Sequence, residues 1–264
     1  MKKILLLVPV CLVFASAMAQ TDSSYRKTKK EIRKERIDAM AKLEEEGVIA
    51  HRKQTAFGLK LTTDGYGGFL EIGRAKSVKR ALLFQLDISE RKHIKEEKQT
   101  GDNGPYSTAF IYGKINFFYP VKLGIQMQQL LGNKGNKNGV NITANLGGGL
   151  ALGLLRPYML DVDKNGQRVS VKYESPDSVY FLNHASIYGG PGFGDGWSDL
   201  SVVPGVYVKP AVRFDYGRYN EVVSAVEVGL NAEFYSKKIP QMVYQKQKQF
   251  FFGAYVAIIF GKRK

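Results

Sequence analysis

The chain has 264 residues, with 39 Lys and Arg against 24 Asp and Glu, 28 Gly, 15 Phe, 15 Tyr and a single cysteine, Cys11. At 24% charged and 44% hydrophobic it is neither a disordered chain nor a polytopic helical membrane protein, because after the first 19 residues no run supplies the ~18 apolar residues of a spanning helix. One cysteine excludes a disulfide scaffold, and the glycine and aromatic load favours β structure.

Residues 1–19 read as a secretory signal: Lys2 and Lys3 form a positive start, 4–15 an apolar run, and Ala17-Met18-Ala19 a small-residue cleavage site between Ala19 and Gln20. Val8-Pro9-Val10 ahead of Cys11 is not a lipobox, so a lipid anchor is not expected. Cleavage would leave a cysteine-free chain of charge +13. Export through the Sec route argues against nucleic acid as the partner of that charge. Much of the excess is local, with Arg26, Lys27, Lys29, Lys30, Arg33, Lys34 and Arg36 preceding Glu44, Glu45 and Glu46. Residues 20–53 are therefore expected to be a periplasmic tether, with one charged helix over 26–46. Its cations come early and its anions late, against the helix dipole, so its intrinsic stability should be low. Such a helix is either a solvated tether or a docking element for lipid headgroups or an envelope partner.

From residue 54 the pattern changes to alternation. Val226, Val228, Leu230, Ala232 and Phe234 occupy one face of a strand, and Glu227, Gly229, Asn231 and Glu233 the other. Strands are predicted at 55–64, 67–75, 81–92, 107–129, 139–156, 200–216, 222–236 and 249–261. The parity kept from 109 to 127 is far longer than the ~5–6 residues usual in soluble sheets, whereas a membrane strand needs ~9–11 to cross. Aromatics cluster at segment ends, as in Phe117-Phe118-Tyr119, Phe234-Tyr235 and Phe250-Phe251-Phe252, which suits interfacial girdles. The expected fold is all-β, an antiparallel up-and-down transmembrane β-barrel over 54–264. It has eight strands, or ten if Pro120 breaks the long segment or the 157–199 loop adds a pair. An even count puts both chain ends on the periplasmic side and the long connections 93–106, 157–199 and 237–248 outside.

These alternating segments, with the closing stretch Gln249-Phe-Phe-Phe-Gly-Ala-Tyr-Val-Ala-Ile-Ile-Phe260, resemble the small outer-membrane β-barrels of the OmpA/OmpX type and barrels of Bacteroidota, some of them PorT-like. The resemblance covers roughly 54–264. It implies residence in the bacterial outer membrane, contact with outer-membrane lipid, and insertion by the barrel-assembly machinery, which reads an aromatic-ended last strand. The chain departs from that pattern by ending in Gly261-Lys-Arg-Lys264. For the PorT-like barrels the resemblance also implies a tie to secretion machinery.

The predicted inward face carries Lys60, Glu71, Asp87, Lys114, Lys122, Lys209, Arg213, Asp215, Glu227 and Glu233. Both signs are present, and an eight-stranded barrel has room only for side chains, so mutual pairing is expected, with a proton, ion or small-solute path as the alternative. No cofactor or metal is expected: His51, His93 and His184 have no metal-ligand spacing, and Asp161-Val-Asp163-Lys-Asn165-Gly166 opens like a calcium loop but has Lys172 at its twelfth position. The same residues read better as a hairpin turning at Asn165-Gly166. His184 and Ser186 are too weak a signal for a lipid hydrolase. Tyr188, Phe193 and Trp197 are expected to seal the barrel mouth, or else to contact a sugar. Together these features predict a non-enzymatic structural or protein-interaction role in the cell envelope, with the helix at 26–46 or the loop 157–199 as the docking element; a narrow channel is the alternative.

Overall fold

The structure, a computed structural model, describes residues 31, 35, 53–77, 79–101, 107–133, 139–174, 176–217 and 222–264. The expected signal segment, with Ala19 and Gln20, lies outside them, as does the charged segment 26–46 except for Glu31 and Glu35, which are helical and exposed. No helix among the described residues is long and apolar enough to cross a membrane.

Thirteen strands run through the described chain: β1 (Lys53–Thr62), β2 (Gly65–Ser77), β3 (Arg80–Arg91), β4 (Lys98–Thr100), β5 (Ala109–Ile111), β6 (Asn116–Gly132), β7 (Asn141–Pro157), β8 (Leu160–Lys164), β9 (Gln167–Val171), β10 (Ile187–Gly189), β11 (Ser201–Asp215), β12 (Val222–Ile239) and β13 (Lys248–Arg263). Eight of them close a barrel in the order β1-β13-β12-β11-β7-β6-β3-β2, every pair antiparallel and every pair but β13–β1 made between consecutive wall strands. The fold is thus an all-β, up-and-down barrel of eight strands, and the ten-strand alternative is corrected. Pro120 interrupts hydrogen bonding to β3, whose register resumes only at Arg91↔Phe118, yet it stays paired with Gly153 on β7. One missing N–H loosens one ladder without ending the strand.

The registers define the barrel's geometry. Following ladder partners from Lys53 through Arg74, Leu82, Met127, Leu146, Pro210, Leu230 and Ala254 returns to β1 at Thr63, ten residues along. A stagger of ten over eight strands corresponds to a strand tilt of about 40° and an interior that side chains fill. The side-chain period of two then sorts the sequence. Leu59, Ile72, Ile88, Ile125, Leu150, Val206, Leu230 and Ile258, one from each wall strand, are exposed on the outside. Outward charges of the described wall occur only at the strand ends, at Lys53, Arg74, Lys76, Arg80 and Lys262 on the end bearing Lys53 and Lys264, called the terminal end, and at Glu90, Arg156, Lys238 and Lys248 on the loop end. Between those rims no charged side chain of the described residues faces out, so an unbroken apolar belt girdles the wall.

The wall is uneven in height. β1, β2 and β3 have 10, 13 and 12 residues, whereas β6, β7, β11, β12 and β13 have 17, 17, 15, 18 and 16. With the stagger taken into account, the terminal-end rims are level. The five long strands therefore rise roughly 12 Å above the others at the loop end.

Candidate functional site

The lumen is layered. Nearest the chain termini, Ala56, Val223, Ala225, Ala257 and Ile259 form an apolar plug, below which Arg263 is paired with Asp215 and donates to Gln54 Oε1 at 3.2 Å. Above the plug, Arg213 donates to Glu71 Oε2 at 3.0 Å and to Glu227 Oε2 at 2.6 Å. Glu227 also accepts from Asn145 Nδ2 at 2.8 Å and the Tyr255 hydroxyl at 2.7 Å. Lys209 lies 3.4 Å from Glu227 and against the Phe69 and Tyr255 rings, 4.9 and 5.1 Å from their centroids. Higher up, Lys60 donates to Asp87 at 2.6 Å, Lys122 to Glu233 at 2.7 Å, and Arg91 to Glu233 at 3.0 Å. Tyr235 donates to Glu233 at 2.7 Å, Asn231 is bonded to the same carboxylate, and Arg91 reaches Asp64 at 2.7 Å.

Six cations (Lys60, Arg91, Lys122, Lys209, Arg213, Arg263) thereby face six carboxylates (Asp64, Glu71, Asp87, Asp215, Glu227, Glu233). Charges withdrawn from water are tolerable only when compensated, and each of these has an opposite charge within 3.4 Å, although the Lys209 ammonium makes no hydrogen bond. Gly124 and Gly149 oppose each other on β6 and β7, and the Tyr207 hydroxyl occupies the place a Cβ on Gly124 would take, at 2.4 Å. The missing side chains let that ring lie across the lumen.

An aromatic layer covers the charges. Phe118, Tyr235 and Phe251 pack edge to face or tilted with centroids 5.3–5.8 Å apart, and Arg91 sits 4.9 Å over Phe251. The connection 240–247 then crosses the mouth. Gln241 donates to the carbonyl of Arg91 at 3.4 Å and accepts from Ile115 N at 2.8 Å, while Val243 N donates to Gly113 O at 2.8 Å. β12, where this connection starts, and β3, which it reaches, lie diametrically opposite in the ring.

Above the long strands the loops fold into a cap with its own core: Phe110, Ile111, Tyr158, Leu160, Val162, Val171, Phe181 and Ile187 are all buried. The cap contains the sheet β10-β8-β9, the two-stranded sheet β4-β5 and a single-turn helix, α1 (Ser178–Leu182). The hairpin expected at Asn165-Gly166 is β8–β9, its turn residues at φ +58° and +80°, with Asp163 Oδ1 accepting from Gly166 N at 2.7 Å. Asp161 is held by Arg168. Among the described residues no group of three or more His, Cys, Asp or Glu could hold a metal. His184 packs on the Phe110 and Tyr112 rings.

Nine of the ten predicted lumen charges lie on the inner wall, and Lys114 is the correction. The strand predicted at 107–129 breaks at Gly113, whose φ of +68° turns the chain between β5 and β6. Lys114 consequently sits under the cap, donating to Glu96 at 2.6 Å beside the Phe117 ring. Burial pulls its ammonium below the usual lysine range, with Glu96 opposing that shift. Tyr188, Phe193 and Trp197 do not seal the mouth. Trp197 stacks on Tyr119 at 5.8 Å outside the wall, with Arg156 4.8 Å from its ring. Phe193 is 88% exposed, and Tyr188 lies in β10 with its hydroxyl 3.4 Å from Asp163. Arg91, Arg263, Tyr235 and Tyr255 belong to the lumen network and were absent from the predicted set.

No family model matches the chain, and no curated protein matches it. Among solved structures, it is similar to the N-terminal β-barrel domain of Pseudomonas aeruginosa OprF, at 9% identity over 80% of this chain and 99% of that one, with a TM-score of 0.36. It is also similar to Neisserial surface protein A, at 9% identity over 80% of this chain and 96% of that one, with a TM-score of 0.38.

Proposed function

We propose that the chain is an outer-membrane β-barrel, closed to solutes, that serves the cell envelope as a non-enzymatic structural or interaction protein, with its cap outside the cell and its termini in the periplasm. The observation that carries this reading is the inverted wall: apolar side chains face out all the way round, while six cations and six carboxylates neutralise one another inside. An aqueous sheet would bury the first set and expose the second. In a bilayer the belt meets hydrocarbon and the closed ladder leaves no unpaired edge. The orientation follows the lengths of the connections, short at the end bearing Lys53 and Lys264 and elaborate at the other. The folded cap is the surface offered to an envelope partner. It presents exposed apolar side chains such as Val179 and Phe193.

Purified protein reconstituted into planar bilayers should give no steady conductance steps. Unheated samples should migrate differently from boiled ones on a denaturing gel, as closed barrels do. Stepwise currents carried by the heat-modifiable form would overturn the closed-lumen reading.

A further inference from the structure

At the terminal end of the wall, four consecutive strands of the ring, β13, β1, β2 and β3, carry outward cations at adjacent register positions. Lys262 is opposite Thr55, two residues along from Lys53 on β1; Lys53 is opposite Arg74; and Lys76 and Arg80 flank the turn that joins β2 to β3, with Lys79 inside it. All six are exposed. None forms an ion pair among the described residues, and the wall carboxylates Glu71 and Asp215 point inward, to Arg213 and Arg263. Arg80 alone has a side-chain partner, the neutral Gln129, to which Nε donates at 2.8 Å. The patch adjoins the apolar belt directly: Ile72 lies two residues from Arg74 on the same face of β2, and Phe260 two residues from Lys262 on β13. Cations with no ion-pair partner among the described residues, clustered on one half of the ring and level with the edge of a hydrocarbon-facing band, complement a plane of phosphates at the end of acyl chains.

We infer that this basic patch binds anionic glycerophospholipid headgroups of the periplasmic leaflet. The inference rests on the membrane placement and orientation proposed above and adds a lipid class and a site to them. The phosphate and the negative headgroup sit against the cations while the acyl chains lie along the belt above Ile72 and Phe260. A zwitterionic headgroup gains much less, because its own ammonium opposes the patch.

The full chain, refolded in detergent micelles, would be titrated with dioleoylphosphatidylglycerol or dioleoylphosphatidylcholine and bound lipids counted by native mass spectrometry. The unaltered protein should hold the phosphatidylglycerol roughly 5- to 25-fold more tightly, since one headgroup meets one or two of the cations and each contributes about fivefold. R74Q/K76Q/R80Q should lose that preference, and K237Q/K238Q/K248Q at the opposite rim should keep it. Equal retention of both lipids, an unchanged preference in the first variant, or an equal loss in the second would overturn the inference. A preference for lipid A over phosphatidylglycerol through the same three residues would overturn the leaflet. A preference seen only after Glu44, Glu45 and Glu46 are changed to Gln would assign the patch to the chain's own acidic run. Heat-modifiable mobility is read on every sample, so failure of the barrel reading shows as a missing shift in the unaltered protein, separately from failure of the lipid site.

Discussion

Arg213 is the most constrained side chain of the lumen, fully buried and shared by Glu71 and Glu227. Removing it alone strands two carboxylates away from water. R213M should therefore destabilise the barrel by about 3–5 kcal/mol, read as a lower urea midpoint in micelles. Replacing the neutral set together, as R213L/K209L/E71L/E227L, should cost far less, because no charge is left uncompensated. Smaller losses on the single change than on the fourfold one would contradict the paired lumen. The residues of this network were legible to the extent that they sat mid-strand, where alternation fixes the face. Glu71, Glu227 and Glu233 followed from parity alone. Arg91 and Arg263 lie at strand ends, where the alternating pattern fades into loop or terminus. Tyr235 reads in sequence as half of an interfacial Phe-Tyr pair, yet only Phe234 faces out. Its hydroxyl reaches Glu233 two residues away on the same inward face, a contact that hydropathy does not record.

The cap is an element with its own small core, and its stability should be separable from that of the wall. Leu160 and Phe181 are completely buried within it. L160A or F181A should lower cap stability by about 2–5 kcal/mol. Limited proteolysis should then cut within 157–199, while heat-modifiable mobility stays as in the unaltered protein. Loss of that mobility would mean that the cap and the wall fold as one unit. Of this element the sequence displayed only the β8–β9 hairpin, because Asn165-Gly166 is a local turn signal. The pairing of β10 with β8 joins segments separated in the chain by β9 and α1, and nothing local encodes it. The alternation that continues through Ile111 and Lys114 misled for a related reason: a turn at Gly113 preserved the apparent parity while moving both residues into the cap.

At the scale of the whole molecule, strand number and direction were readable because the barrel is up-and-down, each wall strand meeting its sequence neighbour. The slanted rim was not, since it depends on the stagger accumulated around the ring. The proposed orientation has a direct check. Cys11 is the only native cysteine, so a V179C change in the cap, at a site 72% exposed, should react with a membrane-impermeant maleimide on intact cells. K79C should react only after the outer membrane is permeabilised, and the reverse pattern would invert the molecule. One ladder stands apart from this local wiring. Lys53 and Lys264 exchange both backbone hydrogen bonds at the seam between β1 and β13, and that seam is the only wall pairing among the described residues whose strands are not consecutive in the wall. Until β13 meets β1, the wall is a curved sheet with two open edges, each able to template pairing with another chain. Closing that seam joins the wall strands farthest apart in sequence, so it carries the largest loop-closure entropy of any wall pairing.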